Sequence, residues 1–272
     1  MSAKKTQVIL VLIALVLFVL LFIAPKIAPK SNDDTSIVNR QSTITNLNAT
    51  IDVYVNLALK NLEPQKKLNV NKLLALKNYD STIAFWDKQK RPDIASYYTE
   101  EIAKKTATAT NWFKAGNRYY YAVQFSEDEK EVPILYQCAM RCFNKGLKLE
   151  PNNVDAKIMY ASCFVEGTNN PMEGVTLLKQ IEKTDSNNVK LQTVFAAFSV
   201  KSGQIDKAIY RYKKILQLDS TNIAVYLYLA DIYEQQQNTQ KTIDVLQKYA
   251  TKTNDVTAKL EITKYIQQLK TK

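Results

Sequence analysis

Three stretches of this chain superimpose on one another at a shift of 34 residues, beginning at Asp155, Val189 and Ile223. Their junctions read Glu150-Pro151-Asn152-Asn153, Asp185-Ser186-Asn187-Asn188 and Asp219-Ser220-Thr221-Asn222. Each junction pairs a helix stop with an Asn able to cap the next helix. The best-preserved second helix runs from Gly203 to Leu216, opening after a Gly turn and carrying Ala208, Tyr212 and Ile215 on one face. No unit of this length buries its apolar face alone, so the period restricts the chain to an array in which stacked neighbours supply the core.

The composition fits an all-α protein. Only 5 Gly and 7 Pro occur in 272 residues, too few for strands joined by tight turns. There is no His, which removes Ser-His-Asp and Cys-His triads and imidazole metal ligands. The five glycines are scattered, so neither a P-loop nor a GxGxxG phosphate cradle exists. The net charge of +11 includes +4 from Lys4, Lys5, Lys26 and Lys30; the rest is dispersed. Lys far outnumbers Arg, and no basic stripe interleaved with aromatics marks a nucleic-acid interface.

Upstream, Trp112-x2-Ala115-Gly116-x2-Tyr119, Ala139-x3-Phe143 and Pro151 complete a recognisable pattern. It resembles the tetratricopeptide repeat (TPR), whose period is also 34 residues. The resemblance covers 109–256 well and 75–108 weakly. It implies a right-handed α-solenoid of helical hairpins with units at 109–154, 155–188, 189–222 and 223–256, and a capping helix at 257–272. Helices over 42–108 include a degenerate repeat at 75–108, with helices at 79–90 and 92–105. Ser42 to Leu62 has helical apolar spacing. The first unit carries an insertion from Phe125 to Pro133, whose acidic centre, Glu127 to Glu131, reads as a surface loop. Gly116, Ser162, Ala196 and Ala230 in the first helices, with Ala139, Gly174 and Ala208 in the second, allow close approach. Phe143, Leu178, Tyr212 and Leu246 fill the space between. In the fourth unit Gln237 and Thr242 replace the favoured Gly and Ala.

In this family the first helices line a concave groove that holds extended peptides. Transferring the groove positions gives Phe113, Asn117, Tyr120 and Tyr121 in the first unit, and Met159 and Cys163 in the second. The third gives Lys190, Thr193 and Lys201, and the fourth Leu227 and Asp231. The alternative for some of them is cover by the N-terminal helices, or plain solvated surface.

Val8 to Ala24 is an unbroken apolar run of 17 residues, about 26 Å as a helix. With Thr6 and Gln7 it reads as a membrane anchor at 6–24, behind a basic tail at 1–5 and ahead of a tether at 25–41. A cleaved signal peptide is the rival, but Phe22 and Pro25 suit a cleavage site poorly. The short basic tail places the rest of the chain across an inner, cytoplasmic membrane, in a periplasm. Lys and Arg nearly balance on the two sides, so a cytoplasmic placement stays open. The odd number of thiols also sits awkwardly in an oxidising compartment.

Chemistry has little to stand on. Cys138 and Cys142 share a helix face at a spacing unsuited to a disulfide, and Cys163 is the only other thiol. They read as buried free thiols rather than a metal site. Glu100, Glu101 and Asp206 are expected on exposed helix faces. After anchor, tether and repeats, too few residues remain for a catalytic domain. The reading is therefore a non-catalytic, membrane-tethered scaffold with no cofactor and no nucleic acid, binding a partner protein or peptide. A self-associating spacer and an accessory subunit of an enzyme are the alternatives.

Overall fold

A computed structural model of the chain describes residues 50–126 and 128–271. The chain divides into two units, Met1–Asn46 and Leu47–Lys272. The expected tail, anchor and tether at 1–5, 6–24 and 25–41 lie outside the described residues. Among the described residues, no helix is long and apolar enough to cross a membrane.

Regular structure among the described residues is helical throughout. A helix over 50–60, α1, is followed by α2 (Pro64–Ala75), α3 (Tyr79–Lys88), α4 (Pro92–Thr106) and α5 (Ala109–Ala122). A 3₁₀ turn (Val123–Phe125) leads to α6 (Glu131–Leu149). Then come α7 (Val154–Gly167), α8 (Pro171–Thr184), α9 (Val189–Lys201), α10 (Ile205–Leu218), α11 (Ala224–Gln235), α12 (Thr239–Lys252) and α13 (Val256–Lys270). Each helix from α3 onward packs mainly on its sequence neighbours. In addition α5 touches α7, and α7 touches α9. The first helices α5, α7 and α9 therefore stand in a row, which is how a solenoid of hairpins forms one continuous layer.

Local chemistry sets the ends. Asn153 and Asn188 accept from the backbone N–H of Ala156 and Leu191 at 2.9 and 3.0 Å. Asn78, Thr108, Asn238 and Asp255 cap α3, α5, α12 and α13 in the same way. Asn222 does not; α11 opens at Ala224 without a side-chain cap, and the N–H groups of Val225 and Tyr226 bond back three residues instead. Four hairpin turns share one closure. Lys77, Lys90, Gly203 and Gln237 have φ of 51°, 57°, 71° and 56°. The residue after each donates to the carbonyl five positions back: Asn78 to Leu73, Arg91 to Trp86, Gln204 to Ser199 and Asn238 to Tyr233. Gln237 thus holds the left-handed position that glycine holds one period earlier.

The small residues do bring helices together. A Cβ at Gly174 would stand 2.3 Å from the carbonyl oxygen of Ala161, so α8 rests on the backbone of α7. Gly116 lies against the Phe143 ring. Thr242 takes the place of alanine by turning its hydroxyl onto the Asn238 carbonyl at 3.0 Å. The apolar core falls into three clusters along the array. One runs from Ile51 to Cys163, a small one joins Ile158, Ala161, Leu178 and Leu191, and a third runs from Ala196 to Leu269.

Two expectations need correcting, and one helix inside 42–108 stands where no spacing singled it out. Residues 64–75 form a helix, α2, that the apolar spacing does not announce; its start is marked by Pro64 in the first turn. The loop within the insertion ends sooner than Glu131, because Glu131 opens α6 and Pro133 sits in its first turn, where its missing N–H costs nothing. Glu100 is buried rather than exposed. Its carboxylate accepts from Arg141 Nε at 3.0 Å, Arg141 Nη2 at 2.6 Å and the Tyr119 hydroxyl at 3.0 Å. This ion pair bolts α4 to α6.

Candidate partner-binding cleft

The helical period places Thr110, Phe113, Lys114, Asn117 and Tyr121 on one face of α5. That face forms one wall of a cleft of about 730 Å³. The cleft is closed by Asp87 and Pro92 from the preceding hairpin, Phe125 from the 3₁₀ turn, and Glu150 and Asn153 from the α6–α7 junction. The Phe113 ring lies against Gly146 and is fixed there, because a Cβ at 146 would meet it at 2.3 Å. Tyr121 and Phe125 stand more than half exposed. The lining is therefore aromatic, with polar groups set among the rings.

Its charges nearly cancel. Arg118 Nη2 donates to Asp87 Oδ1 at 2.5 Å, and Lys114 and Glu150 carry opposite signs. Arg118 Nε is buried and has no acceptor among the described residues. A buried N–H left in this state carries a desolvation cost.

The eleven transferred groove positions do not form one surface. Phe113, Asn117 and Tyr121 line the cleft. Tyr120 turns away: its hydroxyl donates to Glu166 Oε2 at 2.6 Å, and its ring meets Tyr136 edge-on. Tyr136 donates to the same oxygen at 3.2 Å, and Lys201 Nζ lies 3.5 Å from the other. Burial, then the Glu166 carboxylate, raise both phenols well above their ordinary range. Tyr120 and Lys201 thus tie first helices of successive units through Glu166. Met159 and Cys163 are core, not groove; they belong to the apolar cluster that contains Tyr136 and has Tyr120 packed on it. Lys190 pairs with Asp155 at 3.4 Å, and the Thr193 hydroxyl returns to the Val189 carbonyl at 2.9 Å. Leu227 is half-buried against the third core cluster, and exposed Asp231 accepts from Gln235 at 3.0 Å. Phe125 escaped the transfer because it lies in the insertion, outside the repeat. Its signal was an aromatic at the head of a polar loop.

The three thiols are free and buried. Burial pushes Cys138 up to about 12 and Cys142 well above the usual thiol range. Among the described residues no group of three or more Cys, Asp or Glu is placed to hold a metal ion.

The tetratricopeptide repeat family model matches residues 95–255. The chain belongs to the tetratricopeptide repeat family. No curated protein matches it. Among solved structures it is similar to yeast Tom70, at 14% identity and a TM-score of 0.45, over 71% of this chain and 46% of that one. The chain thus spans less than half of Tom70. It is also similar to YrrB, described as a TPR protein with an unusual peptide-binding site. That match has 20% identity and a TM-score of 0.41, covering 72% of this chain and 88% of that one. A mutant of MamA matches at 17% identity and a TM-score of 0.35, covering 63% and 88%.

Proposed function

We propose that this TPR protein is a non-catalytic interaction scaffold that holds an extended segment of a partner protein in the α5 cleft. The observation that carries the reading is the cleft itself: Tyr121 and Phe125 exposed beside half-buried Phe113, with Asn117 and Lys114 among them. Aromatic anchors ringed by donors suit a peptide that brings apolar side chains and backbone carbonyls. The near balance of charge in the lining favours an uncharged segment over a strongly acidic or basic one. In this reading the chain is tethered through residues 6–24 to an inner membrane, with the repeats periplasmic, and serves envelope complex assembly. The apolar run Val8 to Ala24 and its basic tail support that placement.

Quantitative capture from native membranes tests the reading. The full chain is compared with a Tyr121→Asp, Phe125→Asp variant, both sites being exposed enough to leave the fold intact. A partner bound at the cleft falls at least about tenfold in recovery, as expected for lost aromatic anchors. Equal recovery of every captured protein refutes the cleft. A reporter fused after Lys272, active only outside the cytoplasm, tests the orientation separately.

Self-association is a second reading. Val256 and Leu260 lie one turn apart on α13 and are 80% and 55% exposed at the end of the array. Sedimentation velocity over a wide concentration range decides it, and a single invariant species counts against it.

A further inference from the structure

Four large apolar side chains stand exposed on the first two described helices: Val53 and Leu57 on α1, and Leu68 and Leu76 on or just beyond α2. Their exposures are 67%, 54%, 54% and 76%. Val53, Leu57 and Lys60 recur at helical spacing on one face of α1, and Leu68, Lys72 and Leu76 do so on α2. None of these faces is used by the core, which α1 meets through Ile51, Val55 and Ala58, and α2 through Val70. Between residues 50 and 79 there are five lysines and two acids: Asp52, which accepts from the Tyr97 hydroxyl at 2.9 Å, and Glu63, which pairs with Lys66 at 3.5 Å. Exposed leucines interleaved with an excess of lysines are the chemistry of a surface that lies on anionic lipid.

We propose that the outer faces of α1 and α2 dock onto an anionic lipid bilayer. The inference rests on reading residues 6–24 as a membrane anchor. Twenty-five residues separate Ala24 from Thr50. Helices α1 and α2 are the first described elements after that span in sequence, so the short connection keeps them within reach of the anchored bilayer. Tethering makes the contact intramolecular, and a weak surface attraction then suffices. Docking would fix the orientation of the array and keep the α5 cleft at a set height above the lipid.

The test uses the full chain carrying Leu68→Cys, labelled with an environment-sensitive fluorophore. The native thiols are buried and do not compete for the label under native conditions. The protein is reconstituted into vesicles of phosphatidylcholine alone, and of phosphatidylcholine with phosphatidylglycerol in a three-to-one mixture. In the mixed vesicles the emission shifts to the blue and is quenched by nitroxide-bearing lipid. Lys60→Glu with Lys72→Glu reduces that quenching more than about tenfold, each lysine near an anionic surface contributing on the order of fivefold. A label on α8, at Lys179→Cys, stays in water throughout. If the chain floats with both vesicles while the label at 68 stays aqueous, docking is refuted and the anchor stands. If the chain floats with neither, the anchor reading fails and takes the docking with it. A blue shift that follows protein concentration without vesicles assigns the surface to a second copy and overturns the lipid.

Discussion

Gly174→Ala adds one methyl where α8 meets α7. The new Cβ would lie 2.3 Å from the Ala161 carbonyl oxygen, 2.7 Å from Val165 Cγ2 and 2.9 Å from Phe164 Cβ. The nearest obstacle is backbone, so no rotamer change relieves it, and the helices must part by about 1 Å to reach ordinary contact. Overpacking of this kind costs about 3 kcal/mol, and the better helix propensity of Ala returns about 1 kcal/mol. The net loss is about 2 kcal/mol, or about 4–8 °C in melting temperature for a domain of this size. Leu178, from the same hairpin, is fully buried, so the separation also opens the small central cluster of the core. In an array each unit leans on the next, and the loss appears in the whole transition. Thermal melting of the full chain followed by far-UV circular dichroism measures it. A variant that melts at or above the parent temperature refutes the close approach and the register built on it.

Three further outcomes follow from the geometry. Gln237→Gly relieves a left-handed backbone held by a residue with a Cβ, and raises stability by about 1 kcal/mol in urea unfolding; a fall in midpoint contradicts the shared turn. Glu100→Gln leaves the Arg141 guanidinium buried without its counter-charge and costs about 3 kcal/mol, read as a lower urea midpoint; an unchanged midpoint contradicts the bolt between α4 and α6. The buried thiols make stability fall with alkali. An unfolded thiol loses its proton near pH 8.5, whereas burial holds Cys138 to about 12. The folded state therefore binds more protons across that window, and the stability present below pH 8.5 declines as pH rises towards 12. A thiol reagent at pH 8 modifies none of the three in the native protein and all three in urea; rapid native modification contradicts the burial.

The array was legible because its signals are local. Asn at the junctions, Gly203 at a turn and the alternation of Ala208 with Tyr212 each act within a few residues of themselves, and they repeat. The register of small and large residues followed: Gly116, Ala139, Ser162, Gly174, Ala196, Ala208 and Ala230 are all buried. What escaped depends on distant partners or on departures from the repeat. Glu100 reads as a surface acid because Arg141 lies 41 residues away. The α2 helix hides because it buries only Val70, leaving its leucines without the usual one-sided pattern. The cleft was half legible. Phe113, Asn117 and Tyr121 follow from helical spacing, but Phe125 belongs to an insertion, and Asp87 and Arg118 form a pair 31 residues apart that no period encodes. Met159 and Cys163 were misplaced for a definite reason. Both are buried in the cluster that contains Tyr136 and has Tyr120 packed on it, a contact between units that no position within one repeat announces.

The account turns on which face of α5 meets the partner. A photo-crosslinking residue placed in turn at 110, 114, 117 and 121, and at the exposed α8 controls 179 and 183, reads this directly in the full chain in native membranes. The proposed cleft gives one common adduct from the four α5 positions and none from the controls. Adducts from 179 and 183 without any from α5 would contradict it.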